Sequence, residues 1–333
     1  MFVIATTCRP CLIAAEFMEK NPVVEQAVSA EVPIYIFNQH SEIPNEILSL
    51  NNVYLKDNFD TNRPQLGDII REINENVLIC NSDIFFNYDF KNKLNFYVTE
   101  NNEFSFSGRR FDIYSEFSYQ LGLSEETLKK TGFLQSDRTL DFFFLKHEHF
   151  SLLSPIFSIY PGTVGFDIVL SARLNTNSVL ADGTDFFPVF HRNHETFKEI
   201  FYSSFILDRE QRERFVDDRF SRSHASSFEY AQGGLAFCSA KISKYGFVTR
   251  RAGWYRVGAF YEKFLTKISN KIELGLFFLN KLIADAFSFE LRCFVLSRRL
   301  KISLFLPNPL VRDSRSFKER VFSYCQRERL KFL

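Results

Sequence analysis

The chain has 333 residues, 45% of them apolar and 24% charged, a globular balance that excludes a disordered, collagen-like or coiled-coil protein. At about 150 residues per domain, this length predicts one large or two small domains. Lys and Arg number 41 against 40 Asp and Glu, but residues 241–333 hold 20 basic and 7 acidic residues, net +13, which leaves −12 for residues 1–240; a split of this kind predicts different partners for the two parts.

Phe occurs 41 times against one Trp and two Met, which supplies a large apolar core. Six cysteines in a chain this long are too sparse for a disulfide scaffold. The opening MFVIATTCRP has no basic segment ahead of its apolar stretch, as a secretory leader would. No window reaches roughly 18 uninterrupted apolar residues, so no spanning helix is expected. The expected location is cytoplasmic, with attachment to the inner face of a membrane open.

The first strand is read at Phe2–Thr6, followed by a loop through Arg9 and Pro10. Asn21 as cap and Pro22 at the first position predict a helix over Val23–Ala30. Pro33–Phe37 and Asn52–Leu55 are predicted strands, and Gln65–Asn74 a helix with Leu66, Ile69, Ile70 and Ile73 on one side. Val77–Cys80 is apolar throughout, as a central parallel strand should be. Further on, Leu94–Thr99 reads as a strand and Phe104–Phe111 as extended chain. Asp141–Leu145 reads as a strand opened by an acid, Thr163–Arg173 as a helix and Ser178–Leu180 as a strand. Val189–Phe190 leads into His191, Arg192, Asn193 and His194; residues 197–240 look polar and irregular, and the chain turns helical by pattern from about Tyr261.

Strands alternating with helices predict an α/β fold: a mostly parallel central sheet with flanking helices, plus a helical basic C-terminal part. The expected division is 1–200 for the sheet domain, 201–240 for an irregular segment, and 241–333 for the basic region. In such a sheet, ligands sit beyond the carboxyl ends of the strands. VLICNSDIFFN, Val77–Asn87, delivers Asn81, Ser82 and Asp83 to that edge. A carboxylate there can hold a hard divalent cation bridging two phosphates. An Asp after a strand can equally cap the next turn.

The stretch resembles the Asp-X-Asp element of GT-A glycosyltransferases, the nucleotide-diphospho-sugar transferases, in its Asn-Ser-Asp variant. Five more segments resemble motifs of one group of these enzymes, in the same order: ATTCRP at 5–10, SFSGRRFDI at 105–113, DFFFLK at 141–146, TVGFDIVLSAR at 163–173 and ADGTDFFPVFHRNHE at 181–195. They fall across residues 1–195 and say nothing about the rest. The resemblance implies that Thr6 and Thr7 line the base and ribose pocket. Asn81, Ser82 and Asp83 would face the ribose and a metal-bound diphosphate, with Arg109 near the donor. Asp141 and Asp167 would face the reacting sugar and acceptor. His191 or His194 would reach the diphosphate or metal, so Asp83 and His194 are the expected ligands of a divalent cation (Mn2+ or Mg2+). Asn81 in place of the first Asp, and the lack of an Arg at Thr163–Val164, depart from the pattern.

Glycosyl transfer breaks a bond to a diphosphate, which needs cations to stabilise the leaving group. An inverting reaction also needs a carboxylate base near the acceptor hydroxyl; Asp167 is the first choice and Asp141 the second, and a retaining course stays equally open. His191-X-X-His194 lacks the third ligand of a structural zinc site. His147-X-His149 reads as surface, and Cys8-Arg-Pro-Cys11 as an incidental match to redox spacing. The mixture of Lys, Arg, Phe, Leu and Ile in residues 241–333 suits an anionic membrane surface, and equally a helical cap with a solvated basic face; no nucleic-acid-binding motif is seen. The expectation is a glycosyltransferase using a nucleoside-diphosphate-sugar donor and a glycan or lipid-linked acceptor, in surface polysaccharide assembly. The alternatives are a sugar nucleotidyltransferase, disfavoured by the lack of glycine in Thr6–Cys11, and a non-catalytic assembly module.

Overall fold

The computed structural model of the chain describes residues 1–59, 63–100, 102–113, 125–135, 137–163, 165–192 and 224–251, all within the first of two units, Met1–Arg251. Strands β1 (Phe2–Thr7), β2 (Ile34–Phe37), β3 (Val53–Lys56) and β4 (Asn76–Asn81) pair in parallel, with β1 between β2 and β4. They are joined by α1 (Ala14–Lys20) and α2 (Pro22–Ser29), then α3 (Asn45–Leu48), then α4 (Leu66–Glu72). After β4 come β5 (Ile84–Phe86), α5 (Phe90–Thr99), β6 (Ser105–Ser107), β7 (Arg110–Ile113), α6 (Glu125–Thr131), β8 (Phe133–Leu134) and β9 (Phe142–Leu145). The described chain ends with α7 (Phe166–Thr176), β10 (Leu180–Asp182), β11 (Val189–Arg192), α8 (Ser227–Ala231), β12 (Ala240–Ile242) and β13 (Val248–Arg250).

Among the described residues these strands form two sheets. The larger has the order β13-β12-β10-β6-β9-β4-β1-β2-β3, the smaller β5-β11-β7-β8. In the larger sheet β9 is antiparallel to both β4 and β6, and β13 to β12. The other strands share one direction, so the expected α/β fold with a mostly parallel sheet and flanking helices is met. Its central strands bury both faces. Phe2, Ile4, Leu78, Cys80, Phe142 and Phe144 enter one core, while the alternating Val3, Ala5, Val77, Ile79, Phe143 and Leu145 enter the other. Period-2 geometry with apolar residues at every position produces these two layers. Phe142, Phe143 and Phe144 are at most 1% exposed, each burial contributing about 1.5–3 kcal/mol. A third, small core of Phe111, Ile113, Leu128, Leu134 and Phe190 lies against the smaller sheet.

The structure corrects several expectations. Leu94–Thr99 is helical, part of α5; its aromatic and β-branched residues suit a strand, but Phe90, Leu94 and Tyr97 are buried at helical spacing. Phe104–Phe111 is two strands in different sheets, β6 and β7. Asn21 sits at the N-terminus of α2 without a side-chain cap bond, because its amide is engaged by the loop after β1. α7 starts at Phe166, after Gly165 at φ 89°, not at Thr163. His149 is 7% exposed rather than a surface residue; its Nδ1 lies 2.8 Å from Ser105 Oγ. Within 197–240, α8 and a short 3-10 turn at Leu235–Phe237 are regular, and residues 197–223 lie outside the described residues. So does the helical pattern from Tyr261 onward. Among the described residues no helix is long and apolar enough to cross a membrane.

Candidate active site

The carboxyl ends of β1 and β4 line a small, open cleft. Thr6, Thr7, Asn81, Asp141, Gly162 and Phe166 are among its lining residues. β9, running the opposite way, brings its start to the same edge, so that Asn81 N–H donates to the Asp141 carbonyl at 2.9 Å and Asn81 Nδ2 to Asp141 Oδ1 at 3.1 Å. Thr6 Oγ donates to the Cys80 carbonyl at 2.8 Å.

Beside the cleft runs a chain of alternating charges. β11 and β7 are parallel with His191 opposite Asp112, while β5 places Ile84 opposite His191 on the other side. This register sets His191 Nδ1 3.2 Å from Asp112 Oδ1 and Nε2 3.3 Å from Asp83 Oδ2. Arg110, two residues before Asp112 and therefore on the same face of β7, has its Nε 2.9 Å from Asp112 Oδ1 and also binds Asp141 Oδ2. Arg9 closes the other end, 2.6 Å from Asp83 Oδ2. The sequence is thus Arg9, Asp83, His191, Asp112, Arg110, Asp141. The loop carrying Arg9 is pinned twice. Asn21 Oδ1 accepts from Arg9 N–H at 2.8 Å and its Nδ2 donates to the Arg9 carbonyl at 3.1 Å. Asn38 does the same for Cys8, at 2.7 and 3.0 Å.

Burial would lower the His191 pKa, but the bonds to Asp112 and Asp83 outweigh it and raise it to about 9. The two carboxylates flanking Arg110 move oppositely. Burial pushes Asp141 up, against the pull of Arg110; for Asp112 burial pushes up too, but His191 and Arg110 hold it below the usual range. Asp167, in the first turn of α7, accepts from Leu140 N–H at 3.2 Å and Ile168 N–H at 3.0 Å. Burial, with the Asp141 charge adding to it, raises its pKa to about 6 despite those bonds.

Of the sequence-derived candidates, Thr6, Thr7, Asn81 and Asp141 line the cleft, and Asp83 and His191 form part of the charged chain. Asp167 follows the cleft residue Phe166. Ser82 is buried, its carbonyl accepting from Val23 N–H at 3.3 Å. Arg109 turns toward Gln135, donating from Nε to its carbonyl at 2.5 Å, while the neighbouring Arg110 enters the chain of charges. His194 lies outside the described residues. Arg9, Arg110 and Asp112, absent from the sequence-derived candidates, join the same chain of charges; the alternation in Arg110-Phe111-Asp112-Ile113 places two of these charges on one face. The Cys8 thiol is buried, and burial, then Glu42, push its pKa well up, the reverse of what a reactive thiolate needs.

A divalent cation at Asp83 fits this arrangement poorly. Asp83 Oδ2 already meets a guanidinium and an imidazole, and His191, protonated and with both ring N–H groups facing carboxylate oxygens, has no lone pair to offer a metal. Among the described residues, no group of three His, Cys, Asp or Glu is placed to hold one.

No family model and no curated protein matches the chain. Among solved structures it is similar to residues 1–349 of TarS from S. aureus in complex with UDP-GlcNAc, at 10% identity over 67% of this chain and 72% of that one, TM-score 0.37. It is also similar to a mannose-1-phosphate geranyltransferase from Thermus thermophilus, at 13% identity over 74% of this chain and 70% of that one, TM-score 0.25.

Proposed function

We propose that the chain is a glycosyltransferase that moves a sugar from a nucleoside-diphosphate-sugar to a glycan or lipid-linked acceptor, in the assembly of a surface polysaccharide. The observation that carries this reading is one sheet edge where a cleft lined by Thr6, Thr7, Asn81 and Asp141 lies beside the chain of alternating charges from Arg9 to Asp141, with Asp167 next to the lining residue Phe166. A departing diphosphate gains from Arg9 the charge stabilisation its transition state needs. In an inverting reaction Asp167, ionised in part near pH 6 and mostly above it, takes the proton of the acceptor hydroxyl. Asp141, held by Arg110 and Asn81, then orients the sugar hydroxyls rather than acting as base. The basic, apolar residues 241–333 support an acceptor at an anionic lipid surface.

The test is a thermal-shift panel of nucleotide sugars on the full chain, with and without Mn2+, followed by donor hydrolysis assays. Stabilisation by one donor together with its slow hydrolysis is the expected result. No shift with any donor would overturn the reading, and a shift without hydrolysis or transfer would point to a binding module.

A further inference from the structure

We propose that Arg9 is the side chain that grips the donor's diphosphate, and that Asp83 is its resting partner in the empty site rather than a metal ligand. The inference rests on the glycosyltransferase reading and names how that site takes its donor. Arg9 follows Thr7, which lines the cleft, by two residues. Its backbone is fixed through both N–H and carbonyl by Asn21, a fully buried side chain, so the guanidinium swings from an anchored base. That side chain is 41% exposed, while Asp83 is 16% exposed and turned inward.

The charge arithmetic favours exchange. In the resting site Arg9 meets, among the described residues, the carboxylate of Asp83, which it shares with His191. A diphosphate offers more than one negative charge and a pair of oxygens matched to the guanidinium fork. It therefore draws Arg9 away, and Asp83 keeps His191. A divalent cation at Asp83 would instead have to enter beside a guanidinium and displace it, with no second protein ligand supplied by His191. The two arrangements make opposite demands on Asp83: the metal site needs its charge, whereas the exchange is eased when that charge is removed.

Binding of UDP, GDP, CDP and ADP to the full chain is measured by calorimetry in EDTA and again in Mn2+. The expected result is one nucleoside diphosphate bound with affinities within about twofold in the two buffers. Arg9→Ala weakens it by about tenfold or more, and Arg9→Lys, which keeps the charge and loses the fork, by less. Asp83→Asn binds as tightly as the parent or more tightly. Binding abolished by EDTA and by Asp83→Asn would overturn the proposal in favour of a metal at Asp83, and so would full affinity in both Arg9 variants. If the parent binds no nucleoside diphosphate in either buffer, the glycosyltransferase reading itself fails and takes this inference with it. Arg9→Lys preserves the surface charge, so a misfolded Arg9→Ala chain would not hide the answer.

Discussion

His191 ties the stability of the fold to pH in a window where few side chains titrate. Its imidazole is 7% exposed and lies between Asp112 and Asp83, which raise its pKa from 6.5 to about 9. A raised pKa means that the folded state binds the proton more tightly than the unfolded chain. The resulting stabilisation is complete below pH 6.5 and lost as the pH climbs through about 9. At about 1.4 kcal/mol per pH unit, the gap is worth about 3 kcal/mol, a sizeable share of a typical total of about 5–15 kcal/mol. Urea denaturation at pH 6, 7, 8 and 9.5 should show this loss in the parent. It should be absent in His191→Gln, which is less stable throughout but has a flatter profile. Carbon-detected titration of the six histidines, with His191 assigned from the variant, should find one imidazole protonated well above pH 7. Asp112→Asn should move that titration down. An imidazole titrating at or below 6.5, or parallel pH profiles for parent and variant, would refute the reasoning.

The Asp167 carboxyl also has a raised pKa, about 6, so its contribution is lost as pH rises through 6. Asp167→Asn loses one of the two backbone N–H bonds, so it should be the less stable form at low pH but should gain on the parent, by about 2 kcal/mol after allowance for partial exposure, as pH rises through 6, while abolishing transfer; urea melts at pH 5 and 8 that show the same gap between the two would count against it. Arg110→Met leaves Asp112 and Asp141 facing each other without their shared cation and should cost about 3–5 kcal/mol. Adding Asp141→Asn should recover part of that loss, and simple additivity in denaturant titration would contradict the shared-cation account. Gly233→Ala places a methyl 2.6 Å from the Ile168 carbonyl oxygen. It should lower stability by about 1–3 kcal/mol, read from the urea midpoint, and an unchanged midpoint would show that the backbone of α7 yields.

The central strands were legible because their burial is total. Val77–Cys80 has no polar residue to confuse its reading, and β4 extends it by one residue at each end. Leu94–Thr99 misled because side-chain type and spacing disagree there. Tyr97 and Val98 favour strands, yet Phe90, Leu94 and Tyr97 recur at four and three, and Phe96 is left 39% exposed. The cleft residues Thr6, Thr7, Asn81 and Asp141 were reachable because each stands at a strand end. Arg9 and Asp112 were harder to reach. Their importance comes from partners 74 and 79 positions away in the chain, fixed only when the smaller sheet sets its register. Asn21 illustrates the same point: a residue read correctly as a helix start spends its amide on Arg9, a contact that no local pattern announces.

The division between two sheets also bears on how the molecule loses competence. Among the described residues, β7 and the Phe190 side of β11 are backed by a core of five buried residues, with Ile84, Phe86 and Val189 tying β5 and β11 to the larger core, whereas the large sheet is sealed on both faces. Local opening should follow that inequality. Mild chaotrope would then silence the protein at concentrations where its bulk spectroscopic signal is still native, and dilution would restore it at once, because the larger framework never came apart.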